Sequence, residues 1–153
     1  MEEFEKFGIR AVKSTVLTLS ETSRFELTKH FIQHGNISVY SHCVSVAVMS
    51  IRIARFFGIK IDRKSLIRGA LLHDYFLYDW HNEDGGTHKW HGFTHPRTAL
   101  ENAQQDFSLS KVESDIIVHH MFPLVPIPPQ SREAWIVCLS DKICAVRETL
   151  FKR

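Results

Sequence analysis

A chain of 153 residues, 44% apolar and 24% charged, is long enough for one hydrophobic core and too apolar to stay disordered. Its formal charge of +2, with no Lys/Arg run of five, excludes bulk electrostatic binding of nucleic acid, while a small phosphate-bearing molecule needs only a local cationic site. No apolar run approaches the ~18 residues of a membrane span, so no membrane partner is expected.

Helical signals dominate from the start. Met1-Glu2-Glu3-Phe4-Glu5-Lys6 is acidic where a signal peptide would be basic and then apolar, so a cytoplasmic protein is expected. Phe4, Phe7, Ala11, Val12 and Val16 predict a first helix from Glu3 to about Leu19, with Gly8 as a weak point. Ser20 or Thr22 is placed to cap a second, carrying Phe25, Leu27, His30 and Phe31 and ending at His34-Gly35. Ser38 caps a long helix to Phe57, stopped by Gly58, with Val44, Val48, Ile51 and Phe56 as its apolar positions and small Ala47 and Ala54 for tight packing.

Asp62 opens the next helix, which Leu66, Ile67, Ala70 and Leu71 carry to His73-Asp74. Trp80 to Gly92 reads as a long surface loop, of the length compact domains keep for a site. Thr94, with Pro96 in the first turn, opens a helix through Asp106. Ser110-Lys111-Val112-Glu113 matches a capping box and starts the helix to His119-His120. Met121 to Gln130 must be irregular, and Ser131 caps a final helix with Trp135, Leu139, Ile143 and Val146 on one face. The expectation is an all-α fold: one compact domain over 1–153, a bundle of about six or seven helices, with residues 1–33 packing on a core of 34–148.

The unusual count is histidine, at ten. Cys43, Cys138 and Cys144 form no CxxC pair and read as reduced core thiols, so a thiolate zinc site is not expected. His42, His73-Asp74, His95, His119-His120 and Asp141 instead fall on successive helices, mostly near an end, as ligands converging in a bundle do. His73-Asp74 follows apolar Ala70-Leu71-Leu72, and Asp141 interrupts an apolar stretch from Ile136 to Ala145. A charge embedded in an apolar face needs a partner, and a divalent cation supplies one. Imidazole and carboxylate suit Fe, Mn, Zn or Mg, and Asp74 has two oxygens with which to bridge a pair of ions around a shared water of lowered pKa.

These residues resemble the HD-domain superfamily of metal-dependent phosphohydrolases. The similarity lies in YSHCVSVAVMS around His42, RGALLHDY around His73-Asp74 and LSDKICAVRE around Asp141, and runs from Gln33 to Glu148. HGFTHP with His95 and IIVHH with His119-His120 resemble the second-metal ligands of its dinuclear branch, which includes HD-GYP-type phosphodiesterases and YqeK-type dinucleoside polyphosphate hydrolases. The resemblance implies that His42, His73, Asp74 and Asp141 hold a first ion, and that Asp74 bridges to a second held by His95, His119 and His120. It implies two divalent ions per chain, iron or manganese ahead of Zn, Mg, Ni or Co, and hydrolysis of a nucleotide-like phosphate ester. Two HD-GYP features are missing: Tyr75-Phe76-Leu77 stands where that branch continues HDxGK, and Met121-Phe122-Pro123 stands in place of GYP.

Around this set, Asp74, His34 and Lys142 are the candidate catalytic residues, and Lys142, Arg97 and Arg147 the candidate phosphate binders. A solvated helix face is the alternative for the three cations, and a cap or loop role the alternative for His34. Phe76, Tyr78 and Trp80 either stack on a nucleobase or simply pack, and His81, His88 and His91 belong to the loop surface. Two other functions remain open: a di-iron oxygenase, since similar scaffolds with four His and two Asp ligands activate oxygen, and a nucleotide or metal sensor without turnover.

Overall fold

The computed structural model describes residues 2–81 and 90–151, with side chains from residue 6 onward. It is an all-α fold: helices α1 (Glu2–Thr22), α2 (Val39–Phe56), α3 (Arg63–Leu72), α4 (His91–Asp106), α5 (Lys111–His119) and α6 (Arg132–Phe151), a 3-10 helix at Arg24–His30, and a two-stranded hairpin of β1 (Ile32–His34) and β2 (Ile37–Ser38). No described helix is long and apolar enough to cross a membrane.

Helix α2 is the central element, packed on α1, α3 and α6, while α5 packs on α3, α4 and α6. The starts of α2, α3 and α5 are fixed by side chains that satisfy the first free N–H groups. Ser38 Oγ accepts from Ser41 N–H, Asp62 accepts from Lys64 and Ser65 N–H, and Ser110 and Glu113 form the reciprocal capping box. Ser131 Oγ accepts from Ala134 N–H at the start of α6.

Two glycines let helices approach closely. A Cβ on Gly69 would lie 2.5 Å from Ile116 Cδ1, so the bare backbone of α3 is what brings His73 and His120 to one level. A Cβ on Gly8 would lie 2.8 Å from Ile51 Cγ2. Gly8 is therefore a contact point of a continuous α1 and not the weak point its propensity predicts.

Several sequence expectations are corrected. The segment after α1 is not an α-helix to His34: Ser23 accepts from Phe25 N–H and caps a 3-10 helix, Phe31 is extended, and the hairpin follows. On α2 the buried stripe runs through His42, Cys43, Val46, Ala47, Ser50, Ile51 and Ala54, while Phe56 is exposed and Val44 and Val48 are half-buried. Helix α4 begins at His91 instead of Thr94, and Pro96 lies inside it. Residues 82–89 of the expected loop, including His88, lie outside the described residues.

The largest correction concerns α6. Trp135 and Leu139 are each 47% exposed and Val146 56%, with Ile143 half-buried, whereas Ala134, Val137, Asp141, Cys144 and Glu148 face inward. Both sides of this helix are apolar, so periodicity does not choose between them. The choice is made by Asp141 and Glu148, two turns apart, which must reach partners inside.

Candidate metal centre

Four helix ends and one helix middle converge. His42 is in the first turn of α2, His73 is the C-cap of α3 with Asp74 next, His95 is in the second turn of α4, His120 is the C-cap of α5, and Asp141 is mid-α6. All six are buried. His42, His73, Asp74 and Asp141 form one group, and Asp74, His95 and His120 another, each with its nearest ligand atoms within 4.8 Å of one another.

Asp74 joins the two groups with a different oxygen in each. Its Oδ2 lies 3.2 Å from His73 Nε2 and 3.7 Å from His42 Nε2, while Oδ1 lies 3.1 Å from His95 Nε2 and 3.4 Å from His120 Nε2. Asp141 Oδ1 completes the first group at 2.9 Å from His42 Nε2 and 3.6 Å from His73 Nε2.

The ring orientations are fixed from behind. His73 Nδ1–H donates to Ala70 O at 2.7 Å, and His95 Nδ1–H to His91 O and His120 Nδ1–H to Ile117 O, both at 2.8 Å. His42 Nδ1–H donates to Glu148 Oε2 at 2.7 Å. Carbonyl oxygens only accept, so in the first three rings Nδ1 carries the hydrogen and a neutral ring turns its Nε2 lone pair into the cluster. The Nε2 atoms of His95 and His120 then face each other at 2.9 Å, where two lone pairs repel unless a proton or a cation shares them. His73 Nε2 and Asp74 Oδ1 are buried and without a hydrogen-bond partner. Orphaned acceptors converging in a dry floor, all nitrogen and oxygen, are the donor set of a divalent ion, and the residues fit one.

Charge at the floor follows the same logic. Burial pushes His42 down, but its hydrogen bonds to Asp141 and Glu148 outweigh that and raise it to about 10. Burial likewise opposes ionisation of Asp74, yet the positive charge of a protonated His73, ahead of contacts with the His120 and His95 rings, holds it well below the ordinary carboxylate range. Asp141 is lowered in the same way, by His42 and His73 against its burial. Burial lowers His120.

Two residues of the site, Gln33 and Glu148, stand outside the candidate set read from the sequence. Gln33, on β1, is buried and donates from Nε2 to Asp74 Oδ2 at 2.7 Å. An ionised Asp74 only accepts, which fixes the amide orientation and leaves Gln33 Oε1 buried without a partner. Nothing in the sequence marks Gln33. Glu148 was visible in principle, since it lies seven residues after Asp141 on the same face of an apolar helix.

The cluster floors an open pocket of about 1010 Å³. His34 stands at its edge, its ring 5.4 Å from that of His42, and burial together with the neighbouring His42 lowers its pKa. Lys142 lines the wall, with Nζ donating to His120 O at 2.9 Å. The structure does not bring Arg97 or Arg147 to the pocket lining. Arg97 is 86% exposed and lies 3.7 Å from Glu101 one turn on, and Arg147 is exposed on the far side of α6.

His119 is not brought to the cluster either. Adjacent helical positions point about 100° apart, and His119 Nδ1 is held 2.6 Å from Asp115 Oδ1 while His120 turns inward. Of the aromatics, Phe76 is buried against His91 and His95, and Tyr78 Oη lies 2.8 Å from His91 Nδ1. Trp80 lines the pocket with its ring stacked 4.8 Å from that of His91. His91 is thus half-buried packing at the start of α4 and not loop surface, whereas His81 is exposed.

No curated protein and no solved structure matches the chain. The family model of the HD domain matches residues 39–146, an interval that holds all six clustered residues, from His42 to Asp141. The chain belongs to the HD-domain family.

Proposed function

We propose that the protein is a metal-dependent phosphohydrolase acting on a nucleotide-like phosphate ester, with two divalent ions, iron or manganese, held between Asp74 and its neighbours. HD-domain proteins are typically metal-dependent hydrolases. The observation that carries the dinuclear reading is Asp74, which offers one oxygen to each histidine pair. His42, His73, Asp74 and Asp141 would hold one ion, and Asp74, His95 and His120 the other.

Divalent ions there supply a water of lowered pKa and offset the charge gathering on the phosphoryl oxygens. The chain's own groups do the rest. Glu148 orients the His42 ring and Gln33 fixes the Asp74 carboxylate. Lys142, its ammonium held by His120 O, adds positive charge beside the floor that would attract a phosphate. His34, half-buried at the edge, is positioned to exchange a proton with the leaving oxygen.

The test is phosphate release from p-nitrophenyl phosphate and bis(p-nitrophenyl) phosphate by manganese- or iron-loaded protein. Asp74→Asn is expected to lower it by more than about 1,000-fold. Retention of activity in clean Asp74→Asn protein would overturn the assignment.

One observation favours a second reading. With His119 facing Asp115, the cluster holds four histidines and two aspartates, the ligand count of the HD-type di-iron oxygenases. Oxygen uptake by iron-loaded protein with a phosphonate or polyol substrate, and no phosphate release, would put that reading first.

A further inference from the structure

The pocket lining holds two sets of residues of opposite character. Asp74, Asp141, His95 and His120 make the polar floor, and Trp80, Trp90, Phe93, Met121, Pro123 and Leu124 an apolar rim. Trp90 is 66% exposed and Phe93 50%, their rings 5.9 Å apart at the start of α4, and Leu124 faces them from the α5–α6 connection. A Cβ on Gly92 would lie 3.2 Å from Leu124 Cδ2, so the two walls meet closely at the rim. Exposed aromatic rings around a polar floor are costly in water unless a ligand covers them.

The cations are as informative as the rings. Lys142 is the only lysine or arginine among the described residues lining the pocket, and its Nζ already donates to two backbone carbonyls, of His120 and Cys138. With the two ions proposed above and Lys142, the floor carries five positive charges against the three carboxylates Asp74, Asp141 and Glu148. A single phosphate dianion balances the remainder. A second phosphate would sit against Trp90, Phe93 and Leu124, where no described lining residue other than Lys142 offers it a cation.

Resting on the phosphohydrolase reading, we infer that the substrate carries one phosphate group on an uncharged organic part with a flat ring, which lies against Trp90 and Phe93 while the phosphate meets the Asp74 floor. Polyphosphates and phosphates of small polyols are poor substrates. The pocket volume of about 1010 Å³ lies at the upper end for small-molecule sites, leaving room for a substituted bicyclic group.

The experiment uses manganese-loaded protein with 1-naphthyl phosphate, glycerol 2-phosphate and tripolyphosphate. Beside it, binding of the non-hydrolysable naphthylmethylphosphonate is followed by quenching of tryptophan fluorescence. Expected is a kcat/KM for the naphthyl ester more than about tenfold above the other two. Trp90→Ala and Phe93→Ala, both at exposed positions, are expected to raise KM about tenfold with kcat little changed, and Trp90→Ala to weaken the phosphonate to match. Glycerol 2-phosphate or tripolyphosphate cleaved as well as the naphthyl ester, or a Trp90→Ala protein with unchanged KM and phosphonate affinity, would overturn the substrate inference and leave the hydrolase standing. Phosphonate binding that depends on Trp90, with no phosphate released from any ester, would overturn the hydrolase and uphold the pocket's preference. Neither binding nor release would overturn both.

Discussion

His119 and His120 are neighbours in the chain and face two carboxylates with opposite roles. His119 meets Asp115, whose oxygens also accept from Gln130 N–H, Ser131 N–H and Ser131 Oγ–H at 2.6–3.2 Å. Every partner there brings a hydrogen, and Asp115 is a complete hydrogen-bonded anchor for the start of α6. His120 meets Asp74, whose Oδ1 faces ring nitrogens that bring lone pairs and is left without a hydrogen-bond partner. The residue types and distances are alike. What separates a structural aspartate from a ligand is whether its neighbours supply protons.

That contrast can be broken from either side. His120→Ala removes a proposed ligand without touching the anchor, so the affinity for the ion proposed beside His95 should fall by more than about 100-fold, read by calorimetric metal titration, with thermal stability of the metal-free protein little changed. Glu148→Gln keeps the shape behind His42 but removes the charge that strengthens its ring as a donor. The expected loss is about tenfold in affinity for the ion held with Asp141, and unchanged affinity would show that Glu148 is only packing.

Asp115→Ala should do the reverse, costing about 2 kcal/mol of stability in urea titration while metal binding persists. The pH dependence follows from the same site. Burial pushes the Asp115 carboxyl up, but hydrogen bonds from Ser131 and His119 prevail and hold it below its ordinary value of 3.8. A depressed carboxylate contributes stability that is present above pH 3.8 and lost as pH falls through its native pKa. Asp115→Asn should therefore flatten the acid limb of the stability curve, and an acid limb equal to that of the unaltered protein would contradict the anchor role. The smallest effect is expected for His119→Ala: a loss of at most about 1 kcal/mol and no change in bound metal.

The sequence separates these two sites only in part. His73-Asp74 and Asp141 stand out because each ends or interrupts an apolar helix, where a buried charge advertises a partner, and His42 and His95 because they stand near the starts of helices in the same set. His119 and His120 share one apolar helix end, so only the 100° turn between them decides which faces Asp74, and the register of α5 against α3 at Gly69 is a tertiary fact. The caps at Ser38, Asp62 and Ser110 are local chemistry and are legible. The inward face of α6 is not, since Trp135 and Leu139 offer the same apolar pattern as Val137 and Cys144. Gln33 is invisible for a different reason: the sequence pattern there predicts the end of a helix and not a strand, and its role depends on a contact 41 residues away. Arg97 and Arg147 show the converse, cations near a motif in the chain but outside the pocket in space.

The central claim is that the buried cluster is a metal centre bridged by Asp74. The direct measurement is elemental analysis of metal per chain in protein carrying no histidine tag, with Asp74→Ala protein beside it. Close to two ions per chain are expected, lost in the Asp74→Ala protein. A chain that holds no metal even after reconstitution would contradict the claim.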